Sequence, residues 1–417
     1  MLKRGVGSLH GRWRGLTVVL FALLLVSLSD AILSDWVPSF LEKSGGGALF
    51  MGIVMSSSSM VGLLADLVLP SKLKRYGAGK ILLWAMAMNI VFCGVLWWAT
   101  GWPGWWLLVI AMAVWGIYYE FLMFGSYQWV SSSVAREDRS GSWGLLATGK
   151  SFAYFLGPLL GGAIGLAVGD RGILVVAAVL GVAAAIFWRL FGRVRVRHDD
   201  APAADEAEPF IWKEELRRWW ILGSRIWPIL TVGLVLGLVD ATYWSVGAVW
   251  GEKMAQQSWL GIWFLPLYTL PSIAMGLVLA MLHIQNHKKK LADISLMLVG
   301  VFMVAMWWAD SMWMLLGLSL MVGLTTAVAF PMTEAVYSDV IARMGHEKKH
   351  LMGLTSSMGS LAYIIGPITA GLLSSKWREG GAMAVVGVMA LVLGAWLLAV
   401  TPKKLKLPQK EIKEWER

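Results

Sequence analysis

The chain has 417 residues, 58% of them hydrophobic and 15% charged, with a mean hydropathy of +0.65. Soluble chains run at roughly half apolar and about a quarter charged, so this composition excludes a cytosolic enzyme, a secreted module and a nucleic-acid binder. The formal charge of +10 is spread along the chain in short basic segments between apolar runs, which is a topological pattern and not a nucleic-acid patch. A single cysteine, Cys93, excludes a disulfide framework and any cysteine-ligated metal centre.

Crossing a bilayer core takes about 20 apolar residues. Apolar runs read against charged and Gly/Pro breaks predict twelve spans, at residues 15–41, 47–70, 79–100, 104–133, 141–168, 171–191, 225–250, 257–284, 290–309, 311–337, 350–374 and 380–400. The first run is too long for a secretory signal and lacks a small-residue cleavage site, so no cleavable signal peptide is expected. Of the 36 Lys and Arg residues, thirty fall in segments on one side of this pattern. Five lie on the other (Lys43, Arg171, Lys253, Lys376, Arg378), and Lys150 alone lies deep inside a span. The positive-inside rule then puts both termini and the central loop in the cytoplasm, in a multi-pass protein of the cytoplasmic (inner or plasma) membrane. An even number of spans demands the same arrangement. Tryptophans such as Trp97, Trp98, Trp102, Trp105, Trp106, Trp307, Trp308 and Trp313 gather at outer span ends, as an interfacial aromatic belt does.

The chain repeats itself. "LSDAILSDWVPSFLEKSG" in span 1 aligns with "LVDATYWSVGAVWGEKMA" in span 7 at an offset of 210, which superposes Asp30 on Asp240. "AYFLGPLLGG" in span 5 aligns with "AYIIGPITAG" in span 11 at an offset of 209, and "GSYQWVSS" with "PMTEAVYS" at 206, placing Gln128 opposite Glu334. The repeat divides the chain into residues 1–198 and 224–417. Between them, residues 199–223 form a cytoplasmic linker whose aromatic and basic end suits a helix lying along the membrane interface.

Parallel six-helix halves joined by a cytoplasmic linker are the architecture of one class of secondary transporter. With these features the sequence resembles the major facilitator superfamily (MFS) over essentially its whole length. The resemblance implies an all-α membrane protein of twelve transmembrane helices in two pseudo-symmetric six-helix bundles. "GPLLGG", with Gly157, Pro158 and Gly161, resembles the Gly-Pro motif that the family's antiporters favour in helix 5, although uptake members carry similar strings. Gly366 and Pro367 are its counterpart in span 11. The loop "PSKLKRYGAGK" is a degenerate copy of the family's G-x-x-x-D-R-x-G-R-R and keeps Arg75, Gly77 and Lys80 in register, while Pro70 and Lys74 replace its first Gly and its Asp. A second register offers Gly62 and Asp66. Asp66, Arg75, Gly77 and Glu334 are accordingly the candidate cytoplasmic gate. The Arg-containing helix-4 motif of the family's proton antiporters is absent, and "WGIYYEFLMFGSYQW" stands there instead.

A charge at the bilayer centre costs about 2.5–3.5 kcal/mol on insertion scales, so such residues usually face water, a partner or a proton. Asp30, Asp240 and Glu120 fall near mid-span, and Lys150 is about 13 Å into span 5 by helical rise. Burial disfavours the charged form of a carboxyl, so these acids are the candidate proton carriers. The resemblance implies that helices 1, 4, 7 and 10 line the cavity. The candidate site is then Asp30, Glu120, Asp240, Lys150, Gln128, Tyr119, Tyr243 and Trp244. No His/Cys metal spacing, phosphate loop or nucleophile–base pair is present, so no cofactor, no metal and no catalytic residue is expected.

The expected function is secondary active transport of a small organic solute by alternating access, coupled to protons, with export of amphipathic compounds favoured. The alternative is proton-coupled uptake of a polar nutrient such as a sugar or organic acid, with Lys150 and Gln128 binding the solute. A membrane-embedded transferase is the distant alternative. The expected partners are the solute, protons and the lipid bilayer, with no nucleic acid, for a monomer.

Overall fold

The computed structural model describes residues 3–400 except 74–75, 103, 135–138, 193–211, 283–286, 342 and 344–347. All regular structure among the described residues is helical: α1 (Lys3–Leu41), α2 (Gly47–Leu73), α3 (Ala78–Gly101), α4 (Trp105–Ser133), α5 (Arg139–Phe191), α6 (Trp212–Thr242), α7 (Ala248–Gln257), α8 (Phe264–Leu282), α9 (Lys288–Ala305), α10 (Met312–Ile341) and α11 (Lys348–Val400). Lipid offers no partner to a backbone N–H or C=O, so a spanning chain must satisfy them within its own helix. Eight stretches of the described residues have the length and hydropathy of a membrane span.

Three of those stretches, Gly15–Ala65, Gly141–Phe191 and His350–Val400, run to 51 residues. That is more than twice the roughly 20 residues a crossing needs. Each is interrupted by non-helical backbone, at Gly45 (φ 106°), Gly169 (φ 71°) and Trp377–Arg378. Gly169 (φ 71°, ψ −174°) and Arg378 (φ 58°, ψ −179°) share one conformation and stand 209 residues apart. The repeat therefore extends to a reversal that needs φ > 0, where glycine is free and a side chain is strained. One repeat supplies glycine and the other arginine. The Arg378 side chain is exposed, so its replacement removes strain and no buried contact. Strained residues in such regions cost about 1–3 kcal/mol. After the entropy of the new glycine is deducted, Arg378→Gly is expected to stabilise the protein by about 1 kcal/mol, read as a raised unfolding midpoint in detergent. An unchanged or lower midpoint refutes this.

The chain forms two compact units, Met1–Gly45 with Ser57–Glu206, and Gly46–Ser56 with Ala207–Arg417. In the first, α5 packs along α1 and α3 lies against both α4 and α5. In the second, α11 packs along α6 and α9, and α10 lies against α8 and α9. Small residues let these backbones approach, because in lipid association rests on close packing. A Cβ on Gly157 would strike the Cβ of Ala31, and one on Gly366 would lie 2.6 Å from the Cβ of Ala241. Gly157 and Gly366 are repeat partners, as are Ala31 and Ala241, so one helix crossing is built twice. Residues 46–56 belong with the second unit through similar seams. There a Cβ on Gly52 would meet the Pro367 carbonyl, and one on Gly371 the Ala48 carbonyl.

Residues 212–223, the end of the expected linker, are helical and continuous with α6. The stretch "WKEELRRWWIL" contains good helix formers and no breaker before Gly223, so nothing ends the helix there. Trp219 lies against Gly353, and the Arg218 guanidinium lies 2.6 Å from His350 Nε2, fastening this turn to α11. The first part of the linker and the C-terminal tail lie outside the described residues.

Candidate functional site

Asp30 sits in α1 with 1% of its surface exposed. Three uncharged donors close around it. Trp115 donates its indole N–H to Oδ1 at 2.7 Å, Tyr119 places its hydroxyl 3.0–3.1 Å from both carboxylate oxygens, and Tyr154 donates to Oδ2. Trp115 and Tyr119 come from one face of α4, four residues apart, and Tyr154 comes from α5. Phe92 stacks on Trp115 at 4.9 Å and 15°, which holds the indole in its donating orientation. One residue before Asp30 on α1, the Ser29 hydroxyl lies 2.9 Å from Asn89 Oδ1 and 2.8 Å from the Ala177 carbonyl, tying α1 to α3 and α5. Hydrogen bonds to an ionised acceptor are roughly twice as strong as neutral ones, so these donors can hold a carboxylate that no cation among the described residues pairs with.

The second unit carries a related cluster. Asp240 in α6, half-buried, accepts from Tyr268 at 2.7 Å and from Tyr363. Tyr268 stacks on Tyr243 at 4.0 Å and 12°, and Tyr243 stacks on Phe264 at 5.7 Å and 10°. Just beyond Asp240 the helix loosens into a π turn, Tyr243–Gly247, a feature frequent at functional sites. Tyr154 and Tyr363 occupy one position of the repeat, as Asp30 and Asp240 do. Each unit therefore places an acid (from α1 or α6) against a tyrosine (from α5 or α11), next to the Gly/Ala crossing. The remaining donors differ, from α4 in the first unit and α8 in the second.

Other candidate residues lie elsewhere. Glu120, 7% exposed, turns toward α2, where a Cβ on Gly62 would lie 3.1 Å from its Oε1. Its carboxylate lies on the α2 side, whereas its neighbour Tyr119 serves Asp30. Successive helical residues point about 100° apart, which separates them. Lys150 is exposed, with its ammonium 5.5 Å from the centre of the Tyr154 ring. Gln128 donates to the Tyr76 carbonyl, just before α3, at 2.9 Å. Tyr243 and Trp244 are buried at 0% and 8%; Tyr243 orders Tyr268, and its hydroxyl points to Met306 Sδ at 3.8 Å. Of the gate residues, Gly77 begins α3 in extended conformation and Glu334 is exposed on α10. Arg75 and the Asp66 side chain lie outside the described residues. Tyr154, Tyr363, Trp115 and Tyr268 escaped the sequence reading. The first two were legible, as the shared Tyr of "AYFLGP" and "AYIIGP".

Replacing Tyr154 by Phe removes one hydrogen bond to a charged group, worth about 1.5–3 kcal/mol. Solute transport by Tyr154→Phe is expected to fall about tenfold. Tyr363→Phe is expected to lose less, because water can replace a donor at half-buried Asp240. Equal losses in a proteoliposome flux assay would refute the distinction.

The major facilitator superfamily profile matches residues 19–292 and 255–416. The chain belongs to the major facilitator superfamily and is a secondary transporter, not an enzyme. Among solved structures it is similar to the human organic anion transporter MFSD10 (TETRAN), at 18% identity and a TM-score of 0.66, covering 93% of this chain and 99% of that one. At that identity the likeness carries the fold alone. A comparison with curated protein sequences finds no match.

Proposed function

We propose that the protein moves a small organic solute across the cytoplasmic membrane by alternating access, coupled to protons through Asp30. One observation carries this reading: a carboxyl 1% exposed, in a membrane span, held by Trp115, Tyr119 and Tyr154, with no cation in ion-pair contact among the described residues. A charge there is costly. Such a group relieves the cost by taking a proton and regains a charge only with donors in place. The three neutral donors suit both forms, since tyrosine hydroxyls can accept as well as donate.

Twelve spans in two six-helix bundles complete the reading. Cutting the three 51-residue stretches at Gly45, Gly169 and Trp377–Arg378, and counting the shorter apolar helix Trp259–Met275, supports that number. Both termini are then cytoplasmic, as the basic loops require. The Gly-Pro string loses its weight as a sign of export. Gly157 and Gly366 make the same helix crossing in both repeats, a packing role that says nothing of direction. Purified protein in liposomes tests the coupling. Solute flux is expected to respond to an imposed pH gradient and to lose that response when a protonophore collapses it. Flux indifferent to the gradient refutes proton coupling while leaving the family assignment intact.

A further inference from the structure

Lys150 is the charged group that this arrangement leaves unexplained. It lies 11 residues beyond Arg139, the first residue of α5, or about 16 Å along the helix at 1.5 Å per residue. Among the described residues no carboxylate lies within ion-pair distance of its ammonium, and its contact is with the Tyr154 ring at 5.5 Å. Lys150 and Tyr154 share one face of α5. Exposed Leu145 and Phe152 point about 140–160° around the helix from it, whereas Tyr154 points only about 40° away. Its repeat partner is Gly359, where an added Cβ would meet nothing within 4 Å. The second unit thus has open space where the first holds a cation, beside an otherwise matching Asp–Tyr pair.

Tyr154 joins the two charges, since its hydroxyl donates to Asp30 and its ring carries Lys150. The other titratable groups around Asp30 are Tyr118 and Tyr119 of α4 and Cys93 of α3. All three are neutral unless they lose a proton, so Lys150 is the charge that Asp30 senses. An ionised Asp30 offsets the field of Lys150, and a protonated Asp30 leaves it uncompensated. An anion near Lys150 therefore binds better when Asp30 carries a proton. By linkage the anion must then strengthen proton binding by the same factor.

We propose that Lys150 receives the anionic oxyacid group, carboxylate or sulfonate, of the transported solute, and that this anion and the Asp30 proton bind together. The proposal deepens the function above and rests on Asp30 being the coupling acid. It selects co-transport of an anion with a proton over exchange, because exchange requires solute binding to expel the proton.

The test uses full-length protein in detergent and a panel of aliphatic and aromatic carboxylates and sulfonates, with the matching amides and amines. Thermal stabilisation reports binding. Sulfonates do not titrate, so any pH dependence belongs to the protein. One or more anions are expected to stabilise the wild type, with affinity about tenfold higher near pH 6 than near pH 8, a coupling of ordinary size. In weakly buffered solution their binding should take up protons. Lys150→Gln should lose the anion response and Lys150→Arg should keep it, while Asp30→Asn should bind anions without pH dependence or proton uptake. The proposal is overturned if no anion stabilises the wild type, if Lys150→Gln binds as the wild type does, or if binding releases protons. A wild type that answers a pH gradient in liposomes yet binds only amines or neutral solutes keeps the proton reading and loses this one.

Discussion

Asp30→Asn abolishes gradient-driven accumulation while leaving passive exchange of labelled solute across the membrane. Asparagine has nearly the shape of a protonated aspartic acid and cannot ionise, so it freezes the site in one charge state. One pH unit is worth 1.36 kcal/mol per proton, or a tenfold concentration ratio. Wild-type liposomes should therefore build about a tenfold solute ratio per pH unit for each coupled proton, and the variant a ratio near one. Glu120→Gln supplies the contrast, since the Glu120 carboxylate turns to Gly62 of α2. It should keep most of the wild-type ratio. Accumulation that survives in Asp30→Asn and vanishes in Glu120→Gln would move the coupling site to α2 and α4.

Gly157→Ala destabilises the protein by about 2–3 kcal/mol, at the upper end of ordinary overpacking costs. The new methyl would strike Ala31 Cβ, with the Ala31 carbonyl carbon at 2.7 Å and the Ile32 nitrogen at 3.0 Å. Two of those three atoms are backbone, so α1 must shift as a whole. Gly366→Ala meets one methyl at 2.6 Å and nothing else closer than 3.6 Å, and should cost about 1 kcal/mol. Thermal unfolding of both variants checks the order. Gly157→Ala should also lose transport beyond its stability loss, because moving Ala31 moves the adjacent Asp30 away from the Trp115 and Tyr119 donors. A reversed order would mean that α1 yields more easily than α6.

Legibility in the sequence followed the range of the interactions. The spans were readable because hydropathy is a local sum. The acids were readable because a charge inside an apolar run is conspicuous wherever its side chain points. The breaks at 169 and 378 fell between predicted spans 5 and 6 and spans 11 and 12, where Gly169 and the charged Arg378 interrupt the apolar pattern. The continuity of α6 back to Trp212 was not legible, because Gly223 and Pro228 are residues at which helices commonly end.

What the sequence determined by itself is a helical membrane transporter in two related halves, with Asp30 and Asp240 as a matched pair. Composition carries the helical membrane class and the constant offset the two halves and the matched pair, without reference to any contact. Only the tertiary structure decided which donors surround each acid. Trp115, Tyr119 and Tyr154 reach Asp30 from helices 85 to 124 residues away along the chain. Glu120, conspicuous in sequence beside Tyr119, turns to another helix. Helix rotation and crossing decide such meetings, and both follow from the packing of small residues such as Ala31 on Gly157, which no single segment encodes.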